Sequence, residues 1–429
     1  MSVFRPVRGM RDFLPKEAEL MEYIEDKART VAQLYGYREI MTPVLEPYEL
    51  LAAKSGEEIR SRMYAFKDLG GRKVALRYEF TASVARLVAD TFRTEPKPLR
   101  LFCVGSLYRY DEPQHGRFRE FWQSNYELMG SSTPEADAEI ILLTNSLMRD
   151  VGLKNFVFKI GHVGVLRSIL SEEGIEEEAQ NRAMHFMDKK EYENAFTLIK
   201  GAGASEGCLE TLTGLVKIKG EKTFEVSRRM EEQVEAYEKA TEAVGRLRKI
   251  IELVLETGEK IDIRVEAGFA RGLEYYTGII FEVYVPDMEI ALAGGGRYDK
   301  LIELFGGEPT PAVGVAHGLD RIMLAMEEQK TALKRKEKIM VAVIPIEDHL
   351  KGEALKISQM LRGADVTARV EVMGRKLANA LQDAARRKTD YAVILGEREL
   401  KDGSVVVRDF KRRTQKTIKI EEIVEEIKT

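Results

Sequence analysis

The chain has 429 residues, enough for two or three domains with sizeable hydrophobic cores. It is 44% hydrophobic and 32% charged, and it contains no apolar run of about 18 residues, so we expect no helix to span a membrane. Only two cysteines occur, Cys103 and Cys208, too few for a disulfide framework, and the N-terminus lacks the apolar core of a signal peptide, which together predict a cytoplasmic protein.

Charge is distributed unevenly along the chain. The whole sequence has 67 Lys and Arg against 71 Asp and Glu, a net charge of −4. Residues 334–429 contain 22 basic and 16 acidic residues, a net charge of +6, so the remainder carries −10. A basic C-terminal unit on an acidic body predicts a local contact with a polyanion, although an unevenly charged solvated surface accounts for the numbers equally well.

The N-terminal third alternates between helical and strand patterns. Residues 16–35 place apolar side chains at helical spacing, and residues 75–92 read as a strand that runs into a helix. Further strands are predicted at YGYREIMTPVLEP, LRLFCVGSLYRY and FWQSNYELMG. Polar, hairpin-length loops separate these strands, so we predict an α+β domain with an antiparallel sheet flanked by helices.

A helical insertion is predicted at about residues 170–255, where the sequence becomes highly charged. Between Met230 and Val254 apolar residues recur three or four positions apart, which predicts one long amphipathic helix. We expect this helix to pack against its own domain; pairing with a coiled-coil partner is the alternative. Strand character returns at IDIRVEAGFA.

Residues 271–278, RGLEYYTG, continue into IIFEVYV and read as one strand. Successive side chains on a strand point to opposite faces, so Tyr275 and Tyr276 are predicted to have different environments. Burying an unpaired arginine is costly. Arg271 therefore lies either in solvent on an edge strand or in a pocket that supplies an anion.

Two glycine-containing segments and a change of pattern follow. AGGGRYDKL predicts a turn, and VGVAHGLDRIML predicts a strand that ends in a helix, with Arg321 at the helix start. Beyond the charged segment TALKRKEK, strands and helices alternate, which predicts a small α/β domain with a parallel or mixed sheet. The predicted strands there are IMVAVIPI, VTARVEV, YAVILG and SVVVRDF.

The predicted domain boundaries follow from these changes of pattern. They are a first domain over residues 1–325 that contains the insertion, a linker over 326–338 and a C-terminal α/β domain over 339–429.

The clearest basic cluster lies in YRYDEPQHGRFREFWQSNYE, residues 108–127. Arg109 stands at a strand end, and Arg117 and Arg119 stand just past a loop of turn-forming residues. Three guanidinium groups near one hairpin favour an anion site, because guanidinium matches phosphate and carboxylate geometry. By period two, one face of the next strand carries Gln123, Asn125 and Glu127. A solvated strand would show the same polar face.

Two common ways of binding nucleotides or metals do not fit the sequence. AGGGRYD has no Gly-Lys-Ser/Thr and does not match GxGxxG. The five histidines are dispersed without ligand spacing, so no metal motif is predicted. Any nucleotide would have to be held by arginines on an antiparallel sheet.

Three segments resemble the conserved motifs of class II aminoacyl-tRNA synthetases. They are YGYREIMTPVLEP, LYRYDEPQHGRFREFWQ and VGVAHGLDRIML. The pair RGLEYYTG and AGGGRYDKL resembles the histidyl-tRNA synthetase family specifically, and the basic C-terminal domain resembles an anticodon-binding domain. The resemblance implies that L-histidine and ATP, with Mg²⁺, form histidyl-adenylate, that the histidyl group passes to tRNA(His), and that the chain is a homodimer.

The same resemblance implies roles in ATP binding and catalysis. Arg109 would hold the α-phosphate, and Arg117 and Arg321 would hold the β- and γ-phosphates. Arg271 would stabilise the transition state in which the histidine carboxylate meets the α-phosphate. That carboxylate is already a nucleophile near neutral pH, so positioning and charge neutralisation suffice without a general base.

Histidine recognition is also implied by the resemblance. A neutral imidazole has one donor and one acceptor, so Glu127 would accept from one ring nitrogen and Tyr276 would donate to the other. The remaining histidine-binding residues predicted in this way are Glu79, Thr81, Gln123, Arg271 and Tyr275.

The chain departs from the family pattern in two places. The family usually has Arg-Pro-Glu-Gly-Thr where residues 77–81 read RYEFT. Many bacterial members carry an arginine where this chain has Glu112, in the loop that reaches the tRNA acceptor end. Gln114 is the predicted acceptor contact.

A related function is the main alternative. A synthetase-like regulatory subunit of ATP phosphoribosyltransferase shares the fold, but it typically lacks the C-terminal domain and the arginine of RGLxYYTG, both of which are present here. A class II enzyme specific for threonine or proline conflicts with the histidine-specific pair of segments.

Overall fold

A computed structural model describes residues 4–53, 55–114, 116–271, 274–286, 288, 290–331 and 338–428. The chain divides into two compact units, Met1–Leu333 and Lys334–Thr429. Each unit has a hydrophobic core of its own. Within the described residues no helix is long and apolar enough to cross a bilayer. Cys103 and Cys208 are both buried free thiols.

The first unit combines thirteen helices with twelve strands over its described residues. The helices are α1 (Pro15–Leu34), α2 (Tyr48–Ala52), α3 (Glu57–Ser61), α4 (Thr81–Asp90), α5 (Pro134–Asp150), α6 (Val163–Glu172), α7 (Glu177–Asp188), α8 (Tyr192–Gly201), α9 (Glu206–Leu215), α10 (Thr223–Gln233), α11 (Glu238–Glu256), α12 (Leu301–Leu304) and α13 (Leu319–Glu328). The strands are β1 (Arg38–Glu39), β2 (Leu45–Pro47), β3 (Ala65–Lys67), β4 (Lys73–Leu76), β5 (Leu99–Tyr108), β6 (Glu120–Met129), β7 (Val157–His162), β8 (Lys219–Gly220), β9 (Ile263–Glu266), β10 (Ile279–Tyr284), β11 (Ala293–Arg297) and β12 (Ala312–Gly318).

A nine-stranded sheet organises this unit, in the order β1-β5-β6-β12-β11-β10-β7-β9-β8. The six consecutive strands β5-β6-β12-β11-β10-β7 pair with one another in antiparallel fashion. Among the strands that the structure describes, parallel pairing in this sheet occurs only towards the edges, between β1 and β5 and between β7 and β9. The predicted α+β domain with an antiparallel sheet is confirmed. A separate small sheet has the order β2-β4-β3.

In the β5–β6 hairpin, successive side chains point to opposite sides of the sheet, so one side of β6 faces the core and the other faces a cleft. Its register runs from Leu99 opposite Met129 to Tyr108 opposite Glu120. On one side of β6, Tyr126 is fully buried and donates its hydroxyl to the Ala28 carbonyl of α1, 2.7 Å away. The opposite side carries the polar residues of the predicted face, which line a cleft.

The prediction of one long helix between Met230 and Val254 is wrong. Two helices are present: α10 ends at Gln233 and α11 begins at Glu238. Between them the chain turns, with the Tyr237 amide donating to the Val234 carbonyl at 2.8 Å. Val234 and Tyr237 are both buried, so the apolar spacing continues through the turn because both helices face one core. The apolar face of α11 is buried within its own unit.

Two predictions near the centre of the sheet are also wrong. Residues 274–278 do not form a strand, since β10 begins only at Ile279; Gly272 and Leu273 lie outside the described residues. AGGGR is not a turn but strand β11, paired on both sides. Neighbouring strands approach it too closely for side chains: a Cβ at Gly295 would lie 2.4 Å from the Gly314 carbonyl oxygen.

The second unit is an α/β fold around a five-stranded sheet of order β14-β13-β15-β16-β17. Its strands are β13 (Met340–Pro345), β14 (Thr367–Val370), β15 (Tyr391–Leu395), β16 (Ser404–Asp409) and β17 (Thr414–Lys419). Its α-helices are α14 (Lys351–Gly363), α15 (Leu377–Arg386), α16 (Glu397–Lys401) and α17 (Ile423–Lys428). β13 pairs in parallel with β14 and β15, and the other pairs are antiparallel. This confirms the mixed sheet; β17, a mostly exposed polar edge strand, was not predicted.

Candidate active site

A cleft of about 980 Å³ opens on the polar face of the nine-stranded sheet. It brings together almost all of the predicted site residues, although they are spread over more than two hundred positions of sequence. The predicted residues that line it are Glu79, Thr81, Arg109, Arg117, Gln123, Glu127, Arg271, Tyr275, Tyr276 and Arg321. Gln114 does not line this cleft; it is exposed, and its backbone pairs with that of Arg117.

The sheet order explains why these residues converge. Arg109 follows the end of β5, and the polar face of β6 carries Gln123 and Glu127. Thr81 opens α4 and Arg321 lies in the first turn of α13. Because β6 pairs with β12 and β12 with β11, segments distant in sequence become neighbours.

One end of the cleft contains a buried carboxylate with two hydrogen-bond donors. Glu127 is 1% exposed. The Thr81 hydroxyl donates to its Oε1 at 2.8 Å, and the Tyr298 hydroxyl donates to its Oε2. Burial raises the pKa of Glu127 to about 7, because the hydrogen bonds from Tyr298 and Thr81 offset only part of the desolvation and the Glu79 charge adds to it.

A second buried carboxylate, Glu79, shares this end. It accepts hydrogen bonds from Tyr275 at 3.1 Å and from Tyr78 at 3.3 Å. Burial raises the pKa of Glu79, and the positive charge of Arg109 opposes the shift. The ring of Tyr275 lies 4.9 Å from that of Tyr276 and 5.7 Å from that of Tyr298, centroid to centroid. This end is therefore a polar pocket with aromatic walls.

Arg271 occupies the middle of the cleft. It pairs with Glu282 at 3.2 Å and donates to the Phe281 carbonyl at 3.3 Å. Burial opposes its charge, but the neighbouring Tyr276 and Glu282 outweigh burial and raise the pKa of Arg271 above its ordinary value. The guanidinium lies directly against β11, where a Cβ at Gly294 would be 2.0 Å from its Nη1.

The other end of the cleft is an arginine cluster. Arg109 donates to the Tyr78 carbonyl at 3.2 Å, and Arg321 donates to the Ala291 carbonyl at 2.7 Å. Burial, together with the charges of Arg109 and Arg117, lowers the pKa of Arg321 to about 10. A guanidinium whose charge is disfavoured by its own neighbours marks a site that a polyanion would stabilise.

Several important residues were not predicted. Tyr298 lies in the recognised segment AGGGRYDKL, but no role was assigned to it. Gly314 faces Glu127: a Cβ there would lie 1.8 Å from the carboxylate Oε2. Both signals, a tyrosine after a glycine run and a glycine in a strand, were visible in the sequence. Arg119, grouped with the anion-binding arginines, instead stacks over the Tyr110 ring at 3.7 Å, outside the cleft.

A second cleft adjoins the first. It opens between α3 and the helix α7, which belongs to the helical insertion. Glu58 of α3 connects the two helices, since it pairs with His185 at 3.3 Å and with Lys189, just past α7, at 3.1 Å. The two clefts share Arg109, Arg271, Tyr276 and Glu282. The arginine-containing site is therefore accessible from the side of the insertion.

No group of three or more His, Cys, Asp or Glu placed to hold a metal ion occurs among the residues that the structure describes. The acidic residue next to Arg271, Glu282, is already engaged by that arginine and by the Tyr284 hydroxyl. Any divalent ion at this site would need most of its oxygen ligands from a bound phosphate compound and from water.

Comparison with known proteins gives one consistent family. Residues 9–322 match the family model described as histidyl-tRNA synthetase, and residues 340–429 match that of an anticodon binding domain. A histidine–tRNA ligase of Methanocaldococcus jannaschii is 41% identical over 98% of this chain and 99% of its own length.

Solved structures share the architecture. A histidyl-tRNA synthetase from Nostoc has a TM-score of 0.79 at 23% identity, covering 100% of this chain and 99% of that chain. A Bacillus halodurans protein named ATP phosphoribosyltransferase regulatory subunit/histidyl-tRNA synthetase has a TM-score of 0.75 at 27% identity, covering 89% of this chain and 97% of that chain.

Proposed function

The chain belongs to the histidyl-tRNA synthetase family, and we propose that it activates L-histidine with ATP and transfers the histidyl group to the 3′ end of tRNA(His). The observation that carries this proposal is the division of one cleft into a pocket with two buried carboxylates and an arginine cluster, with Arg271 between them. An amino acid and a triphosphate require these two environments side by side.

Arg271 would act where the two substrates meet. A histidine carboxylate oxygen attacks the α-phosphorus of ATP, the bond from that phosphorus to the bridging oxygen breaks, and pyrophosphate leaves. Arg109 would hold the α-phosphate, and Arg117 and Arg321 would hold the β- and γ-phosphates. Negative charge grows on the phosphoryl oxygens during this step, so fixed guanidinium groups lower the barrier without a proton transfer.

Histidine would bind at the carboxylate end. Glu127 would accept from one imidazole nitrogen and the Tyr276 hydroxyl would donate to the other, so that an apolar side chain would leave both groups unpaired. Glu79 would bind the α-amino group, with Thr81 and Gln123 beside it. Tyr275 would hold Glu79 through the hydrogen bond already present.

Mg²⁺ would enter with ATP. The described residues offer the ion no protein cage of three ligands, so the nucleotide phosphates and water would supply its coordination. When bound, it would neutralise phosphate charge. The residues of this chain would orient the triphosphate through the arginine cluster.

Transfer of the histidyl group requires the 3′ end of tRNA(His) to reach Arg271. We propose that it enters through the second cleft, whose wall includes the basic residues Arg60, Arg167, Arg182 and Lys189. Gln114, exposed in the loop after Arg109, would contact the acceptor end from the other side. Since ATP, histidine and tRNA meet in the cytoplasm, the reaction would occur there.

The C-terminal unit would read the anticodon, in keeping with its match to an anticodon binding domain and its net positive charge. Deleting residues from Lys338 onward should reduce tRNA charging far more than adenylate formation. Circular dichroism and thermal unfolding would verify that the remaining unit is folded. Equal losses in both reactions by a folded variant would contradict the assignment.

A homodimer is part of the proposal. Large apolar side chains are exposed on and near the small β2-β4-β3 sheet, and they include Met41, Val44, Leu45, Phe66 and Leu69. A second copy covering them would remove this apolar surface from water. Sedimentation equilibrium of the full chain and of a Met41→Asp, Phe66→Asp double variant would test this. A monomeric wild type at micromolar concentration would contradict it.

The regulatory-subunit alternative is not favoured. The chain has both the arginine of RGLxYYTG and the C-terminal domain. The 41% identity with a histidine–tRNA ligase extends over both units.

ATP–pyrophosphate exchange with each of the twenty amino acids in turn tests the proposal directly. Only histidine should support exchange. Exchange with another amino acid at a similar kcat/KM, or exchange with none by a folded protein, would overturn the assignment.

A further inference from the structure

We infer that Tyr298 is a specificity-determining residue: its buried hydroxyl holds Glu127 in the ionised, acceptor-only form that selects the neutral imidazole ring of histidine. This inference rests on the proposed function and extends it. Tyr298 is 2% exposed, lines the cleft and donates to Glu127 Oε2. It lies 171 positions from Glu127 in sequence.

The geometry around Glu127 leaves its carboxylate little freedom. Thr81 donates to Oε1 and Tyr298 donates to Oε2, so each oxygen already has one protein donor. The backbone of Gly314 lies against Oε2, so closely that a Cβ at this position would be 1.8 Å from that oxygen. Each carboxylate oxygen keeps a further lone pair, which only a new hydrogen-bond donor can use.

Tyr298 is itself held by the residues beside it. Arg297 is 2% exposed and donates from Nε to Asp137 Oδ1 at 2.8 Å, and Asp137 also accepts from Arg246 at 2.9 Å. The Arg297 carbonyl accepts from the Thr277 amide at 2.8 Å. Thr277 follows Tyr276, so one buried ion pair fixes the backbone next to both tyrosines.

The charge state of Glu127 decides what the pocket can recognise. An ionised carboxylate only accepts, which suits the N–H of a neutral imidazole, whereas a protonated carboxyl has a donor of its own and would leave that N–H unpaired. Burial favours the protonated form, and hydrogen-bond donors favour the ionised one. Tyr298 therefore shifts the balance towards the form that binds histidine.

Other titratable groups face Glu127, and they act in the opposite direction or are neutral. Glu79 adds negative charge from the segment before α4. The other titratable neighbours lie on β5 and on the segments beside β10 and β1, and their side chains are neutral: Cys103, Tyr275, Tyr276 and Tyr37. Loss of the Tyr298 donor would thus leave the Thr81 hydroxyl and the Asn125 side chain to stabilise the ionised form.

The test is Tyr298→Phe in the full chain, measured by histidine-dependent ATP–pyrophosphate exchange from pH 6 to 9. At pH 7 we expect the KM for histidine to rise about tenfold while kcat changes less than about threefold, because the lost group binds the substrate side chain and not the reacting atoms. The pH at which KM falls to its plateau should move upwards by about one unit or more.

Tyr237→Phe is the matched control, since its buried hydroxyl also donates to a carboxylate, Glu173, at 2.9 Å but lies outside the cleft. It should leave KM and its pH dependence unchanged. Calorimetric histidine binding at pH 7 and pH 9 provides a second measurement, with weaker binding by Tyr298→Phe recovering at the higher pH. An unchanged KM, or an equal loss at every pH, overturns the inference. If the wild type shows no histidine-dependent exchange, the proposed function fails instead.

Discussion

The two ends of the cleft differ in their electrostatics: one contains buried carboxylates with hydrogen-bond donors, and the other contains clustered arginines. At the end where we propose that histidine binds (the histidine end), Glu79 and Glu127 are buried, and each accepts two hydrogen bonds from protein hydroxyl groups. At the arginine end, which we propose binds the phosphates of ATP (the phosphate end), burial and the nearby charges of Arg109 and Arg117 disfavour the charged form of Arg321. The hydrogen bonds of the histidine end are formed before substrate binds. The positive charge at the phosphate end is unfavourable until an anion binds.

Under the proposed function, this difference would allow one site to combine selectivity for histidine with catalysis of adenylate formation. A pocket with satisfied hydrogen bonds has a fixed shape and penalises amino acids that cannot replace its bonds. Uncompensated positive charge gains most from the charge that develops at phosphorus during adenylation. Arg271, paired with Glu282 but close to Tyr276, lies at the boundary between these two regions.

The largest expected effect is that of Arg271→Ala. Adenylate formation should fall about a hundredfold or more because a transition-state contact is lost, while histidine affinity stays largely intact. Pyrophosphate exchange and equilibrium histidine binding would measure the two quantities separately.

Arg93→Ala is a suitable control for Arg271→Ala, since that arginine is 58% exposed and pairs with Glu308 away from the cleft. It should exchange pyrophosphate at the wild-type rate. Near wild-type exchange by Arg271→Ala would contradict the proposed role of Arg271 between the two ends. It would also contradict the proposal that the two ends have separate functions.

Glycine substitutions can damage each end separately. Gly314→Ala places a Cβ 1.8 Å from Glu127 Oε2, and Gly294→Ala places one 2.0 Å from Arg271 Nη1. We expect the first to raise the histidine KM and the second to lower kcat, each about tenfold or more, because a displacement of about 1 Å is costly in an active site.

Gly245→Ala controls for the effect of a glycine replacement in general. It lies in α11, and apart from its chain neighbours and the helix's own backbone nothing lies within 4 Å of the added Cβ, so Gly245→Ala should leave activity unchanged and stabilise the helix by roughly 0.5–1 kcal/mol. Identical changes in KM and kcat for Gly294→Ala and Gly314→Ala would show that the two ends are not separable.

The sequence predicted the composition of the cleft better than its local geometry. Period two placed Gln123, Asn125 and Glu127 on one face, which the structure confirms, because a long paired strand keeps its alternation. The same rule failed for Tyr275 and Tyr276. Their environment depends on Glu79, 196 positions away from Tyr275, and no local pattern reports such a contact.

The glycines of β11 and the turn after α10 were misread for a related reason. A glycine run is compatible with a turn and with a strand that neighbours approach closely, and only the positions of β10 and β12 decide between them. Likewise, the apolar spacing through Val234 and Tyr237 continues across the turn because two helices share one core.

A smaller effect is expected on the stability of the histidine end. Burial raises the folded pKa of Glu127 from 4.5 to about 7, so its neutral form contributes stability that is present below pH 4.5 and lost as the pH rises through 7. Glu127→Gln stays neutral at every pH. Its melting temperature relative to wild type should therefore increase by a few degrees between pH 5 and pH 8. A difference that does not change with pH would mean that Glu127 is not the titrating group.

The smallest effect should appear at the phosphate end. The lowered pKa of about 10 leaves Arg321 charged at pH 7, so the folded unit carries the full cost of burying this charge beside Arg109 and Arg117. Arg321→Gln should raise the melting temperature without ligand by about one to three degrees. Pyrophosphate should stabilise the wild type but not this variant, whereas Arg93→Gln should respond to pyrophosphate as the wild type does. A lower melting temperature for Arg321→Gln would mean that its hydrogen bond to the Ala291 carbonyl outweighs the repulsion. The interactions within the protein would then stabilise the phosphate end before substrate binds, as they do the histidine end.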